Sequence, residues 1–406
     1  MGRGRWQTAE MRVLCSTTAG EGHFGPLRVL AQACRAAGHE VRVAAPASFA
    51  GTVQRAGLDH VPFAEPSPEA MHAVFASLAR MSTEQANATV MAEVFGRLDA
   101  QAAFPDVQRM VRTWRPDVVL RDPAELASLA AAQAAGIAHI EVAIAVAALM
   151  QWGLEHLPDP LAELDEVTGL THGTLLQAAA ASPVFTMVPE AMDRAAGHST
   201  GTASAVRDVV RFRARHETGP GRLPCSWGNP DDPLVYVTFG TVAGGLDYLR
   251  EVFTATLHAL SALPVRVLLT TGAGGEVALA DVPGNAHVEQ FWPQDDLMPL
   301  AAAVVSHGGF GTTMSALSAG VPQVVMPLFS TDQYLNAEAV SAMGAGVTIH
   351  GGPDATSAMA AAVSRVLSES SFRIRSGEIA EQIAALPEAT DVVDQIGRIT
   401  DTAAPN

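Results

Sequence analysis

Val304-Val305-Ser306-His307-Gly308-Gly309-Phe310-Gly311-Thr312-Thr313-Met314-Ser315-Ala316-Leu317 carries an apolar strand end into a histidine and three glycines, and then into a helix. That order builds a seat for phosphate. Glycine lets the backbone turn at positive φ and approach a ligand closely. The first N–H groups of the following helix lack partners of their own and face an anion with the positive end of the helix dipole. Thr312 and Thr313 stand where a hydroxyl caps the helix or donates to the same anion. His307 adds a donor at the mouth. A glycine-rich turn that binds nothing has the same local pattern, so the surroundings decide.

The surroundings repeat the strand–turn–helix rhythm on both sides. Arg12–Ser16 reads as a buried parallel strand, followed by the turn Thr18–Pro26 and a helix from Leu27 to Ala37 stopped by Gly38. Strand Glu40–Ala45 and a short helix from Phe49 to Ala56 complete a second unit. Residues 64–112 read as helices and loops. Strand Asp117–Asp122, an alanine-rich helix Ala124–Ala135 and strand Ile137–Val142 follow. Residues 213–233 are rich in proline and glycine and poor in apolar side chains, which marks a linker.

Beyond the linker the rhythm restarts with strand Leu234–Phe239, a helix from about Tyr248 to Leu260, strand Val265–Thr270 and His287–Phe291. The strand into His307, a helix to Ala319 and strand Gln323–Met326 continue it; helices Gly377–Pro387 and Thr390–Ile399 close the chain. The expected architecture is α/β, with two Rossmann-like parallel-sheet domains facing each other across a cleft. The expected boundaries are 11–212, a linker at 213–233, 234–386, and a C-terminal helix in 387–406 that returns to the first domain.

Composition narrows the function. A net charge of −17 disfavours nucleic acid, whose phosphates need a basic face. No lysine occurs, which removes the P-loop lysine and Schiff-base chemistry. Cys15, Cys34 and Cys225 are too scattered for a metal set or a disulfide framework and suit a reducing cytoplasm. Residues 1–10 lack the apolar core of a signal peptide, and Ile137–Met150 is too short and too interrupted to span a bilayer. A cytoplasmic enzyme without membrane or nucleic-acid partners is the expectation.

His23 follows the first strand among glycines, and Asp122 ends another strand of the same half. A histidine oriented by a carboxylate is a general base that works near neutral pH. Thr241, His307, Gly309 and Gly311 form a metal-free diphosphate seat. No Asp-x-Asp exists to hold a metal–diphosphate, and Asp231-Asp232 reads as a solvated turn.

These residues resemble the nucleotide-sugar-dependent glycosyltransferases of family 1, which have the GT-B fold, and among them the actinobacterial enzymes that decorate antibiotics. The resemblance covers residues 11–400. It implies that His23 of Gly22-His23-x-x-Pro26 deprotonates the acceptor and that Asp122 is its partner. It implies diphosphate contacts from Thr241, His307, Gly308, Gly309, Gly311 and Thr312. It places Phe291, Trp292 and Gln294 at the base and ribose, with either ring open as the one that stacks. It gives Asp332 and Gln333 of Thr331-Asp332-Gln333-Tyr334 to the donor sugar. The implied reaction inverts the sugar, uses no metal or cofactor, and takes an NDP-sugar, dTDP-linked, and a natural-product hydroxyl. A homodimer and an auxiliary activator protein stay open as partners.

Alternatives from other classes are weaker. A UDP-glucose-dependent transferase of small aromatic acceptors, or a sugar-nucleotide epimerase, uses the same fold, but an epimerase needs no acceptor base. Gly197-His198-Ser199-Thr200-Gly201 matches a serine-hydrolase string without the strand that should precede it. A nicotinamide dehydrogenase is a further alternative: Gly20-Glu21-Gly22-His23-Phe24-Gly25 has the G-x-G-x-x-G spacing, which on its own is a weak signal.

Overall fold

The computed structural model describes residues 10–197, 207–215, 219–243, 245, 249–272 and 281–403. Of the Gly197–Gly201 string, all but Gly197 lies outside the described residues. The N-terminal half holds a seven-stranded sheet in the order β3-β2-β1-β4-β5-β6-β7. Its strands are β1 (Arg12–Ser16), β2 (Glu40–Pro46), β3 (Asp59–Phe63), β4 (Val118–Arg121), β5 (Ala138–Val142), β6 (Val184–Thr186) and β7 (Val209–Arg211). The C-terminal half holds a six-stranded sheet in the order β10-β9-β8-β11-β12-β13. These are β8 (Leu234–Thr238), β9 (Arg266–Thr270), β10 (Ala286–Glu289), β11 (Ala301–Ser306), β12 (Gln323–Val325) and β13 (Gly346–Thr348). Every pairing between these strands is parallel.

Both faces of each sheet are covered, so the inner strands are apolar at nearly every position rather than at alternate ones. In β1, Val13 and Cys15 join one core and Leu14 the other. In β8, Val235 and Val237 face one way while Leu234 and Tyr236 face the other. Strand order reverses between β1 and β4, and again between β8 and β11. Loops leaving those four strands diverge and open a crevice at each sheet's carboxyl edge.

The structure extends the expected helices and adds strands. The first helix runs Glu21–Ala36, six residues longer at its start than expected from Leu27. Gly20, in extended conformation, precedes it, and Pro26 lies inside it. Proline lacks the N–H for an i−4 bond, so the helix carries Pro26 in its second turn without that bond. His23 therefore stands in a helical first turn, not in a loop. The strands missing from the sequence reading, β3, β6, β7 and β13, are the outer ones, short and less apolar. The penultimate helix is Ser370–Ala384, displaced toward the N-terminus from the expected Gly377–Pro387. No helix among the described residues is long and apolar enough to cross a membrane.

The two halves are joined by more than the chain between them. Val146, Val188 and Met192 share one apolar cluster with Phe310, Met314 and Val340. The last helix, Ala389–Ala403, returns to the first sheet's core, where Ala389, Val392, Val393 and Ile396 pack with Phe24 and Leu27 of the His23-bearing helix. Arg213 and Glu388 pin the crossing by an ion pair of 2.9 Å, beside backbone bonds from Arg213 N–H to Pro387 and from Ala389 N–H to Arg213. Ile396 is fully buried. Ile396→Ala should lower unfolding stability by about 2–4 kcal/mol in urea titrations; a change near zero would show that this helix does not brace the N-terminal core.

Candidate active site

The two crevices face one cleft of about 1340 Å³. On its N-terminal wall, the carboxylate of Asp122 has no exposed surface and is fully bound. Its Oδ2 accepts from the Thr18 N–H at 2.8 Å and the Thr17 hydroxyl at 2.9 Å. Its Oδ1 accepts from the N–H groups of Ala124 at 2.7 Å and Glu125 at 3.1 Å. The remaining demand of Oδ1 meets Nδ1 of His23 at 3.2 Å, and Thr18 Oγ1 lies 3.1 Å from the same nitrogen. An ionised carboxylate only accepts, so Nδ1 carries the proton and Nε2 holds the free lone pair. His23 lines the cleft and Asp122 stands behind it.

Electrostatics agree with that arrangement. Burial by itself lowers the His23 pKa, but the charge and hydrogen bond of Asp122, helped by Asp332 and Asp99, lift it above its ordinary 6.5. Burial by itself raises Asp122, yet the charge and hydrogen bond of His23 and the bonds from Thr18 and Thr17 bring it below the usual carboxylate range. Each group favours the charged form of the other. Asp99 is pushed up to about 6 by burial first, then by Asp122, Glu125 and Glu65.

The opposite wall is the loop after β11. Gly308 has φ +88°, and a Cβ there would lie 2.8 Å from the Gln333 carbonyl and from Val325. Its N–H donates to Ser306 Oγ at 3.2 Å and its carbonyl accepts from Asn336 Nδ2 at 2.8 Å. Gly308 is not among the residues lining the cleft; its N–H and carbonyl are spent within the loop, which it shapes. His307 lies between Gly240 and Gly309, where added Cβ atoms would fall 2.8 and 2.6 Å from its ring. Burial holds its pKa down to about 4. It is therefore a neutral donor in the free protein, not the cation that would neutralise phosphate charge.

Helix Phe310–Ser318 begins beside it with Gly309 at the cap and no side-chain cap bond. Its first N–H groups are thus not taken by a capping side chain, contrary to the capping role considered for the two threonines. Thr312 Oγ1 instead accepts from Gln294 Nε2 at 3.0 Å, tying the phosphate loop to the segment after β10. Thr313 is wholly buried and turned away from the cleft lining. Gly311 meets no atom within 4 Å of an added Cβ, so its glycine keeps open space in front of the helix end.

Thr241, Phe291, Trp292, Gln294, Asp332 and Gln333 all line the same cleft. Trp292 is engaged elsewhere: its Nε1 donates to the Arg222 carbonyl at 2.9 Å and the Arg222 guanidinium lies 5.3 Å from its ring centre. Phe291 is 70% exposed. Phe291 is thus the more exposed of the two rings, while Trp292 is anchored at its Nε1. Gln333 is buried, and its side-chain carbonyl accepts from Leu328 N–H at 2.8 Å and Phe329 N–H at 3.1 Å. Only its amide nitrogen is left for a sugar hydroxyl. Asp332 Oδ1 accepts from the Ser330 hydroxyl, and burial raises its pKa.

Sequence reasoning overlooked several residues. Thr17 and Thr18 fix Asp122; they flank the end of β1, where a polar pair after an apolar run was the available signal. Asn336, two residues beyond the Thr331-Asp332-Gln333-Tyr334 motif, secures the Gly308 carbonyl. Met91 and Phe95 wall the N-terminal side of the cleft, and Phe95 stacks 5.6 Å from the His23 ring. They stand on a π-helical stretch, Val90–Asp99, which no sequence pattern announces.

Two parallel α/β sheets that set a histidine–carboxylate pair against a glycine-rich helix start define a GT-B glycosyltransferase. The family models for the erythromycin biosynthesis protein CIII-like N-terminal and C-terminal domains match residues 32–200 and 254–399. The L-demethylnoviosyl transferase of Streptomyces niveus is 30% identical, over 95% of this chain and 97% of its own length. The aclacinomycin-T 2-deoxy-L-fucose transferase of Streptomyces galilaeus is 28% identical, over 96% of each chain. The crystal structure of the glycosyltransferase VinC in complex with dTDP superposes with a TM-score of 0.75 at 24% identity, over 97% of this chain and 100% of that one. The chain belongs to the EryCIII-like family of natural-product glycosyltransferases.

The pair makes a direct prediction. In Asp122→Asn, burial persists while the charge that offsets it is gone, so the His23 pKa should fall from above 6.5 to below it. Histidine Cε1–H chemical shifts followed against pH would show this; a pKa still above 6.5 would assign the elevation to Asp99 and Asp332 instead.

Proposed function

We propose that the protein moves a deoxysugar from a dTDP-linked donor to a hydroxyl of a natural-product acceptor, inverting the anomeric carbon, with His23 as general base and without a metal. The observation that carries this is the placement of His23 Nε2 and the His307–Thr312 loop on one cleft. His23 Nε2 takes the acceptor's proton as its oxygen attacks the anomeric carbon. The bond from that carbon to the diphosphate breaks, and the departing charge is met by the N–H groups at the start of helix Phe310–Ser318, by His307 and by Thr241. Asp122 holds the tautomer and stabilises the imidazolium that forms. Attack from the face opposite the leaving group inverts the centre.

Phe291 covers the base, Gln294 and Thr312 frame the ribose and diphosphate, and Asp332 with the Gln333 amide takes the sugar hydroxyls. The deoxysugar donor is supported by relatives named for such transfers, and the dTDP carrier by the nucleotide named with VinC. The histidine base favours transfer over the epimerase reading, which has no acceptor to deprotonate.

His23→Ala should cost roughly two to four decades in turnover with donor affinity little changed; near-normal turnover would remove it as the base. Because only the neutral imidazole accepts a proton, kcat/KM should rise with pH through a midpoint above 6.5, and that limb should be absent in the variant. His307→Ala should weaken nucleoside-diphosphate binding about five-fold by calorimetry, the worth of one neutral hydrogen bond; unchanged affinity would count against its contact with phosphate. Thermal shifts with dTDP, UDP and GDP would name the base, since the ligand that binds tightest raises stability most.

A further inference from the structure

Two side-chain amides hold the loop that leads into Asp332 and Gln333, and one of them comes from the opposite half of the molecule. Within the C-terminal half, Gln333 Oε1 accepts from the N–H groups of Leu328 and Phe329. From the N-terminal half, Asn87 of helix Thr83–Thr89 reaches the backbone groups that follow. Its Nδ2 donates to the Phe329 carbonyl at 3.4 Å, and its Oδ1 accepts from the Thr331 N–H at 3.4 Å.

Both bonds are long, yet the amide has one way to sit. Phe329 and, within its own helix, Thr83 at 2.7 Å offer carbonyls, so the nitrogen faces them. Thr331 offers an N–H, so the oxygen faces it. Thr331 opens helix Thr331–Ala342, whose first N–H groups have no partners inside the helix. Ser330 at the cap gives its hydroxyl to Asp332 and makes no side-chain cap bond. Asn87 therefore supplies from across the cleft an acceptor that the local sequence does not.

Asn87 also belongs to the wall that faces the acceptor. Its helix runs directly into the π-helical stretch Val90–Asp99. Asn87, Met91 and Phe95, spaced every fourth residue, all line the cleft, and Phe95 stacks against His23. One helical run thus touches His23 and, through Asn87, the loop that carries Asp332 and Gln333.

We infer that Asn87 is a positioning residue for the donor sugar. It holds the Phe329–Thr331 loop, and through it Asp332 and the Gln333 amide, in register with the acceptor wall. The inference rests on the reading in which Asp332 and Gln333 take the sugar hydroxyls. Chemistry fixes the residue type: a carboxylate at this position cannot donate to the Phe329 carbonyl, an apolar side chain does neither, and a primary amide does both. The bonds go to backbone beside the sugar residues and not to the His307–Thr312 loop. Their loss should therefore weaken binding of the sugar and leave the nucleoside diphosphate alone.

Calorimetry on the full chain separates the two. The probes are whichever of dTDP, UDP and GDP the wild type binds tightest, and the matching glucose conjugate: dTDP-glucose, UDP-glucose or GDP-glucose. Asn87→Leu removes the amide and keeps the volume; Asn87→Ala removes both. In each variant the sugar nucleotide should bind about fivefold more weakly than to the wild type, the worth of one neutral hydrogen bond. The nucleoside diphosphate should stay within about twofold.

An unchanged sugar-nucleotide affinity in Asn87→Leu overturns the assignment, and a loss seen in Asn87→Ala alone traces to packing and overturns it too. Equal weakening of both ligands does the same, because it marks a general disturbance of the C-terminal half. Asp332→Ala, measured alongside, reports on the underlying reading. If it leaves the sugar nucleotide unaffected, Asp332 does not hold the sugar and that reading fails. If it weakens the sugar nucleotide while Asn87→Leu does not, the positioning role alone fails.

Discussion

A carboxylate with no solvent contact organises the N-terminal half of this site. Asp122 takes hydrogen bonds from Thr17, Thr18, Ala124, Glu125 and His23. Removing such a group from water is costly, and only a full set of donors compensates for it. Those donors come from the end of β1, from the turn after β4 and from the first helix. The carboxylate therefore ties together the three segments that must converge for a base to sit at the sheet's switch point. Among these partners His23 brings a titratable side chain to the cleft. Its orientation follows from satisfying Asp122, so the geometry that the proposed base needs and local stability are the same constraint. The C-terminal helix reinforces it from behind, because it packs on the helix that carries His23.

The C-terminal wall solves a different problem by excluding side chains. Gly240, Gly308 and Gly309 each stand where a Cβ would strike His307, the Gln333 backbone or Val325 at 2.8 Å or less. With those positions bare, the imidazole lies flat between two backbone segments and the helix start stays open to the cleft. Asn336 and Ser306 then hold Gly308 by its own carbonyl and N–H. In the proposed function the result would be an anion seat of oriented backbone dipoles. Its price in the free protein is visible in the unpartnered Nδ1 of His307 and Oδ1 of Asn336.

What the sequence discloses and what it hides divide along physical lines. The inner strands and the strand-to-helix junctions near His23, Thr241 and His307 are legible because apolar runs, glycines and strand–turn–helix order are local properties. The start of the first helix is hidden because Pro26 reads as a turn residue until tertiary packing places it inside. Edge strands such as β3 and β13 are hidden because partial exposure removes their apolar signature. Gly308 and Gln333 carry structural bonds that their motifs do not announce, since composition cannot tell a glycine that touches ligand from one that lets the loop turn. Arg121 looks like the polar end of a strand and is instead among the largest fully buried side chains. Residue type gave no warning there. Only the fold decides whether a strand-end arginine meets solvent or an interior wall.

Charge explains why the seat must be built from dipoles. With a net charge of −17, the protein repels an anionic donor at long range. Three carboxylates, Asp99, Asp122 and Asp332, raise the pKa of His23, which adds negative potential where a diphosphate would approach. No lysine is available to offset it. Attraction therefore has to be short-ranged, and the N–H groups of a helix start provide that, since their field fades within about a turn and is felt only at contact. In the proposed transfer the same carboxylates would serve the other half of the reaction. They would stabilise the imidazolium that His23 becomes, so the field that opposes donor approach would favour proton transfer. A long-range cationic funnel would steer the donor better but would depress the base. Confining positive potential to backbone N–H groups on one wall, and negative potential to the other, lets both halves work across one cleft.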